Sequence, residues 1–128
     1  MREIGFPWSS ELYRRSRASV GATLGAARDA LDSGLSGALA GGTHHAHRER
    51  GSGFYVFNDA EVTVGVLRAE ALIELVAIID LDVHQGDGNA SLLGGDPGTY
   101  ILDIYGEEEL PVSQGAAATP RPAATPHR

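Results

Sequence analysis

The chain has 128 residues, a formal net charge of −7 at neutral pH and no cysteine. Its length suits one domain with a modest core, and its apolar runs are shorter than the ~18 residues that a membrane helix needs. Disulfides and thiolate metal sites are excluded, so a metal ion would have to be bound by His, Asp or Glu. The N-terminus lacks the apolar centre of a signal peptide, which favours a cytoplasmic protein.

The charge is unevenly distributed along the chain. Between residues 51 and 110, twelve acidic residues accompany a single arginine. No segment forms a basic face with interleaved aromatic residues, so neither nucleic acid nor a membrane is predicted as a partner.

The first long element is a helix, predicted from Ser9 or Ser10 to about Ser33. Serine is a good N-cap, apolar residues recur at helical spacing, and Gly34 is a typical C-terminal stop. The segment "GALAGG", 37–42, then predicts a short buried strand that runs into a glycine turn.

A second helix is predicted to begin at Asn58 or Asp59. Either residue is a favourable N-cap because its side chain accepts a hydrogen bond from a free backbone N–H. Val62, Val66 and Ala69 share one face of this helix.

Two segments that follow are predicted to be strands. "LIELVAIIDLD", 72–82, is continuously apolar and short, as expected for a parallel strand covered on both faces. A helical turn around "NASLLGG" would separate it from "TYILDIY", 99–105, another buried strand. This alternation of helix and strand predicts an α/β fold, a parallel sheet flanked by helices.

The composition changes near residue 111. The segment 112–128 is rich in Ala, Pro and Thr and has no periodicity, so we predict a domain over 1–111 and a disordered tail over 112–128. A small sheet would also have open edges, through which we expect oligomers or aggregates to form.

The stretch "IIDLDVHQGDGNA", 78–90, places charge directly after an apolar run. In an extended strand residues two apart share a face, so Asp80, Asp82 and His84 can point the same way. Such strand ends bind ligands in parallel α/β sheets, and the glycines beside Asp87 allow its carboxylate to fold back toward them. Because Asp and His are acceptable zinc ligands, we interpret the stretch as a metal site. The alternative is a solvated strand end followed by a glycine-rich turn.

The second cluster is the histidine-rich segment "GGTHHAHRERGSGF". The adjacent His44 and His45 could act as a proton acceptor and a proton donor if each has its own carboxylate partner. Asp80 and Asp87 would be these carboxylate partners if Asp82 and His84 hold the metal. The alternative is a surface loop rich in His and Arg, in which His47 is predicted to be solvated.

These motifs resemble a known family. "GGTHHAHRERGSGFYVFNDA" followed by "DLDVHQGDG" is similar to the zinc-dependent histone deacetylases, and most like the bacterial class IV-like and acetoin-utilisation-like members. The resemblance extends over residues 4–111. It implies a partial arginase–deacetylase α/β fold and zinc-dependent hydrolysis of an acetyl-amide on acetyl-lysine or an acetylated polyamine.

The resemblance also implies a role for eight residues. It assigns two zinc ligands, two acid–base histidines, the carboxylate partner of each histidine, and two residues of the substrate-channel wall: Asp82 and His84, His44 and His45, Asp80 and Asp87, Gly53 and Phe54. Zinc would acidify a water molecule and polarise the amide carbonyl, while a histidine accepts a proton and later delivers it to the departing amine. A structural K⁺ beside the strand that bears the ligands is a further implied cofactor.

The sequence departs from the family pattern in three ways. The acidic residues after His84 do not form the motif of the third zinc ligand, the later tyrosine that stabilises the oxyanion is not found, and Tyr55 replaces a small residue. We therefore expect a fragment with weak or no activity. The alternatives are a non-catalytic remnant of the fold that binds a metal or a partner, and a small sheet domain without metal.

Overall fold

The computed structural model describes residues 4–106, which form three helices and two strands. Helix α1 spans Ser10–Ser33, helix α2 Asp59–Ala69, strand β1 Val76–Asp80, helix α3 Asp87–Leu93 and strand β2 Thr99–Asp103. The last three elements make a strand–helix–strand unit, and α2 connects it to the long α1. The predicted α/β class is confirmed.

Helix α1 begins and ends where its capping residues predict. The Ser9 hydroxyl accepts a hydrogen bond from the backbone N–H of Leu12 at 3.0 Å. Gly34 adopts a left-handed conformation with φ of 84° and donates its N–H to the carbonyl of Ala30 at 2.8 Å. Glycine adopts this conformation without a steric penalty, so it ends the helix here.

Helix α2 begins as predicted, but its buried face differs. The side chain of Asn58 caps the helix by accepting the N–H of Glu61 at 2.9 Å. Val62, Val66 and Ala69 lie on one face of the helix, but Ala69 is exposed and the two valines are only half-buried. Since α2 contacts both α1 and α3, the positions of its apolar residues do not alone define its inner face. The most buried residues after the first turn are Thr63, Val64 and Leu67.

The two strands form a parallel pair, as predicted. Each residue of β1 lies opposite a residue of β2, and the ladder ends with Asp80 opposite Asp103. The N–H of Ile104 then donates to the carbonyl of Asp80 at 3.0 Å, so the chains stay side by side beyond the strands. Both strands are shorter than the predicted segments 72–82 and 99–105.

One face of this sheet is open in the described part of the chain. Half-buried and exposed residues alternate along both strands, and Ile79, Tyr100 and Leu102 are 53%, 61% and 38% exposed. The prediction that both faces are covered is wrong for residues 4–106. Helix α3 packs against β2, and the described residues supply no second layer for the other face.

The buried strand predicted over 37–42 is also wrong. These residues are exposed and contain no strand, and Leu39 is fully accessible to solvent. A single extended segment gains little stability without a neighbouring strand. Here β1 and β2 pair only with each other, which leaves the segment without a ladder partner among the described residues.

Two predictions concern residues beyond this range. The domain boundary at residue 111 and the disordered tail over 112–128 lie outside the described residues. None of the three described helices combines the length and apolar character required to cross a lipid bilayer.

The open apolar face leads to the first testable prediction. We expect the chain to self-associate through it, because contiguous exposed apolar surface favours contact with a second surface. In sedimentation velocity, Ile79→Gln combined with Leu102→Gln should shift the distribution toward monomer. Leu35→Gln, which removes an exposed leucine after α1, is the matched control and should leave it unchanged. A wild-type chain that sediments as a monomer at the same concentration would contradict the prediction.

Candidate active site

The loop that carries the histidine pair is fastened to α2 by one carboxylate. Buried Asp59 accepts hydrogen bonds from the N–H of Gly42 at 3.0 Å and the N–H of Thr43 at 2.8 Å. The hydroxyls of Thr43 and Thr23 also donate to it, at 2.6 and 2.7 Å. Burial by itself would raise the pKa of Asp59, but these hydrogen bonds, led by the Thr43 hydroxyl, bring it below its ordinary value. The loop is therefore held by an ionised, fully engaged carboxylate.

His44 is buried and contacts the carboxyl end of β1. Its Nδ1 lies 2.7 Å from Oδ2 of Asp80. The same oxygen accepts the side-chain amide of Asn89 at 3.4 Å, and Asn89 in turn accepts the amide of Asn58 at 2.8 Å. These contacts join the histidine loop, the end of β1 and the first turn of α3 in one polar network.

His45 has a separate carboxylate partner. Its Nδ1 lies 2.8 Å from Oδ1 of Asp87, the first residue of α3. The rings of His44 and His45 are adjacent, with centroids 4.1 Å apart. A Cβ on Gly88 would overlap the carbonyl oxygen of His44, so only glycine lets α3 approach the pair this closely. The two imidazoles thus lie side by side, and each contacts its own aspartate through Nδ1.

Asp82 and His84 follow β1 and are the more accessible part of the site. Both side chains are 51% exposed, and Nδ1 of His84 lies 2.8 Å from Oδ1 of Asp82. The N–H of His84, and then its ring, lower the pKa of the Asp82 carboxyl. The side chain of Asp82 reaches toward the histidine pair, with Oδ1 3.9 Å from Nε2 of His44.

The residues after β1 fit a zinc ion in kind but not in number. Carboxylate oxygen and imidazole nitrogen are suitable donors, and those of Asp82 and His84 already converge. Catalytic zinc sites usually have three protein ligands, whereas no cluster of three metal-binding side chains occurs within residues 4–106. The described residues therefore supply two donors.

Gly53 lies against the ring of His45, and Phe54 follows it in the chain. A Cβ on Gly53 would overlap the ring of His45, and both residues have positive φ, 55° and 70°. The Phe54 ring is exposed and packs against Phe6 with centroids 5.4 Å apart. Tyr55 stacks on His45 with centroids 6.2 Å apart, so the bulky residue at this position lies against the candidate catalytic ring.

His47 does not lie where the sequence predicts. Its side chain is 15% exposed, and Nε2 lies 3.2 Å from Oδ2 of Asp87. The predicted solvated side chain is wrong because the loop turns back after it: the N–H of His47 donates to the carbonyl of Arg50 at 2.9 Å. The turn directs the ring inward, toward the carboxylate that also contacts His45.

Asp103 is a further acidic residue at the site, and the sequence patterns did not predict its place there. It lies opposite Asp80 in the ladder and accepts the N–H of Gly86 at 2.9 Å. Burial, and then the nearby charge of Asp80, raise the pKa of Asp103 against the opposing effect of that hydrogen bond. Each predicted parallel strand carries an aspartate near its end. This shared position could have identified Asp80 and Asp103 as neighbours.

The candidate site residues lie in two segments of the chain, and a single family match includes both segments. The sequence model of the histone deacetylase domain matches residues 3–123. The chain belongs to the histone deacetylase domain family. The predicted resemblance is therefore confirmed, and the parallel strands with their helices agree with the predicted partial deacetylase fold.

Three relatives from distant organisms show the same similarity. An uncharacterised protein of Picosynechococcus sp. is 40% identical over 110 residues, which cover 86% of this chain and 37% of the relative. Histone deacetylase 2 of Arabidopsis thaliana is 42% identical over 95 residues, 74% of this chain and 24% of the relative. Histone deacetylase 9 of Homo sapiens is 32% identical over 75 residues, 59% of this chain and 7% of the relative. The matched region is thus well under half the length of each relative.

A first prediction from this geometry concerns Gly53. We expect Gly53→Ala to lower the free energy of unfolding by about 1–3 kcal/mol, because the new methyl group meets the His45 ring and alanine is strained at positive φ. Urea denaturation measures the change. Gly65→Ala is the matched control: a Cβ there meets open space on α2, and alanine should stabilise the helix by roughly 0.5–1 kcal/mol. Equal effects of the two substitutions would contradict the crowding at Gly53.

The anchored carboxylate of Asp59 leads to a second prediction. Its pKa in the folded chain lies below the ordinary value of an aspartate, so its ionisation stabilises the fold above about pH 4, and this stabilisation is lost as the pH falls through the folded value. Asp59→Asn should lower the free energy of unfolding at pH 7 by on the order of 2–3 kcal/mol.

The pH dependence of that loss is the decisive measurement. In urea denaturation the difference in unfolding free energy between wild type and Asp59→Asn should shrink as the pH falls from about 5 to about 3, the range in which an ordinary aspartate takes up its proton. Asp32→Asn, at an exposed position of α1, is the control and should have a small effect at both pH values. A difference that grows on acidification would rule out the assigned role of Asp59.

Proposed function

We propose that this chain carries the histidine-pair part of a zinc-dependent deacetylase site, which hydrolyses an acetyl-amide. The observation that carries the proposal is the arrangement of His44 and His45, two adjacent rings that each contact a different aspartate through Nδ1. Family membership supports the reaction class. By the same analogy, the proposed substrates are acetyl-lysine in a protein or an acetylated polyamine. A cytoplasmic location stays a prediction.

The aspartate contacts determine which ring nitrogens can exchange protons. An ionised carboxylate only accepts hydrogen bonds, so Nδ1 of each histidine carries the donated proton and Nε2 is the free acid–base position. Asp80 and Asp87 orient the two rings and stabilise the charge that appears when Nε2 takes up a proton. In the proposed reaction one Nε2 accepts a proton from the attacking water and one protonates the departing amine.

Asp82 and His84 are the proposed zinc ligands, because their donor atoms converge beside the histidine pair. A bound zinc ion supplies a Lewis acid that polarises a carbonyl and acidifies water. Gly53 and Phe54 are proposed to line the substrate channel, where the absence of a side chain on Gly53 leaves room for the His45 ring. A structural K⁺ beside β1 stays a prediction.

We expect little or no turnover from the 128-residue chain by itself. Two protein donors are fewer than a catalytic zinc site usually has, and the described residues contain no cluster of three. This shortage favours a second proposal from another class, a non-catalytic remnant of the fold that binds a metal ion or a partner. A remnant that binds zinc would use the same pair of side chains as the enzyme and would differ from it in turnover.

A zinc titration with an acetyl-lysine peptide assay tests both proposals. Calorimetry should show zinc binding that Asp82→Asn and His84→Ala each weaken at least tenfold, because either change removes half of the described donors. Asp96→Asn is the control, since Asp96 contacts Arg68 and Thr99 away from the site. Zinc-dependent turnover that His45→Ala abolishes supports the enzyme, and binding without turnover supports the remnant. A folded chain whose zinc affinity is unaffected by either ligand variant would contradict the enzyme and the metal-binding remnant.

A further inference from the structure

The carboxylate of Asp87 contacts two histidines at once. Its Oδ1 lies 2.8 Å from Nδ1 of His45, and its Oδ2 lies 3.2 Å from Nε2 of His47. The side chains of His47 and Asp87 are 15% and 22% exposed, so the second contact is largely shielded from solvent. Neither the family assignment nor the proposed mechanism gives His47 a role.

We propose that His47 is a positioning residue that fixes the orientation of the Asp87 carboxylate and thereby keeps Nδ1 of His45 protonated. The inference rests on the proposed acid–base role of His45, which needs Nε2 unprotonated and facing the reaction. It extends that proposal with a residue that acts on His45 through Asp87.

The physical reason is the freedom of an aspartate side chain. The terminal torsion of Asp has a broad, roughly two-fold distribution, so one hydrogen bond alone selects its orientation weakly. The contact of Oδ2 with His47 selects the orientation in which Oδ1 meets His45. Hydrogen bonds between largely buried groups are also stronger than those in water, which makes this second anchor effective.

The donor and acceptor roles are fixed by the carboxylate. Because ionised Asp87 only accepts, Nε2 of His47 must carry a proton to bond to it. Nη2 of Arg50 lies 3.2 Å from the same nitrogen, but a guanidinium only donates and needs an unprotonated Nε2. The two contacts are therefore mutually exclusive, and the one with Asp87 joins the two less exposed side chains. We accordingly assign the proton of His47 to Nε2.

The His44 side of the site is held by different groups. Oδ1 of Asp80 accepts the backbone N–H of Asp82 at 3.1 Å, and Oδ2 accepts the amide of Asn89 as well as His44. A backbone N–H and an amide hold Asp80, whereas an imidazole holds Asp87. His44 thus provides an internal reference that a change at His47 should not affect.

Nitrogen-15 NMR of the full 128-residue chain tests the proposal. Long-range proton–nitrogen spectra at neutral pH distinguish protonated from unprotonated ring nitrogens. In wild type, His45 should show a protonated Nδ1 and an unprotonated Nε2, and His47 should show a protonated Nε2. In His47→Leu, the ratio of the two His45 tautomers should shift by roughly fivefold, the size expected for loss of one hydrogen bond.

Two further variants separate positioning from general loss of structure. His47→Gln keeps an N–H donor and should restore the wild-type His45 signals. Arg48→Gln, at the exposed neighbouring position, should leave them unchanged. The His44 signals should stay the same in all three variants.

Two results would overturn the proposal. One is an unchanged His45 tautomer ratio in His47→Leu. The other is a change in both His44 and His45 that His47→Gln does not rescue, which would make His47 a general support of the loop. The spectra need neither zinc nor substrate, so failure of the proposed deacetylase function in the zinc and peptide assays is distinguishable from failure of this inference.

Discussion

The described structure depends on the buried carboxylate of Asp59. It ties the segment before the histidine pair to the start of α2 through two backbone and two hydroxyl donors. The Thr43 hydroxyl accepts the N–H of Asp59 in return, at 2.9 Å. Because His44 directly follows Thr43, these hydrogen bonds determine where the imidazoles meet the end of the sheet. The loop has no regular secondary structure of its own, and polar contacts give it a definite position.

The parts of the fold that could be predicted are those governed by local chemistry. Ser9 and Gly34 mark the ends of α1 because capping and left-handed geometry act within one turn. The short apolar runs correctly predict a parallel strand pair. The buried strand over 37–42 and the inner face of α2 could not be predicted in the same way. Each depends on which other element packs against the segment, and the local sequence of the segment does not specify that element.

The candidate site shows the same division. The alternation of Asp80, Asp82 and His84 is a local pattern, and the structure brings these residues to the end of β1 beside the histidine pair. His47 was misjudged because its polar neighbours suggested solvent, whereas a turn directs its ring to Asp87. The alternation favours a metal site, whereas the roles of individual residues as ligands and acid–base groups come from family resemblance, and all of these stay predictions.

The interior of the described chain has an unusual chemical balance. Its buried apolar residues are few, and its buried polar residues are at least as numerous. The change in heat capacity on unfolding comes from apolar surface and is reduced by polar surface. Residues 4–106 should therefore contribute a small heat-capacity change for their length, and their stability should follow a flat curve with temperature. A site held in this way should depend more on the charge state of its carboxylates than on temperature near the maximum of that curve.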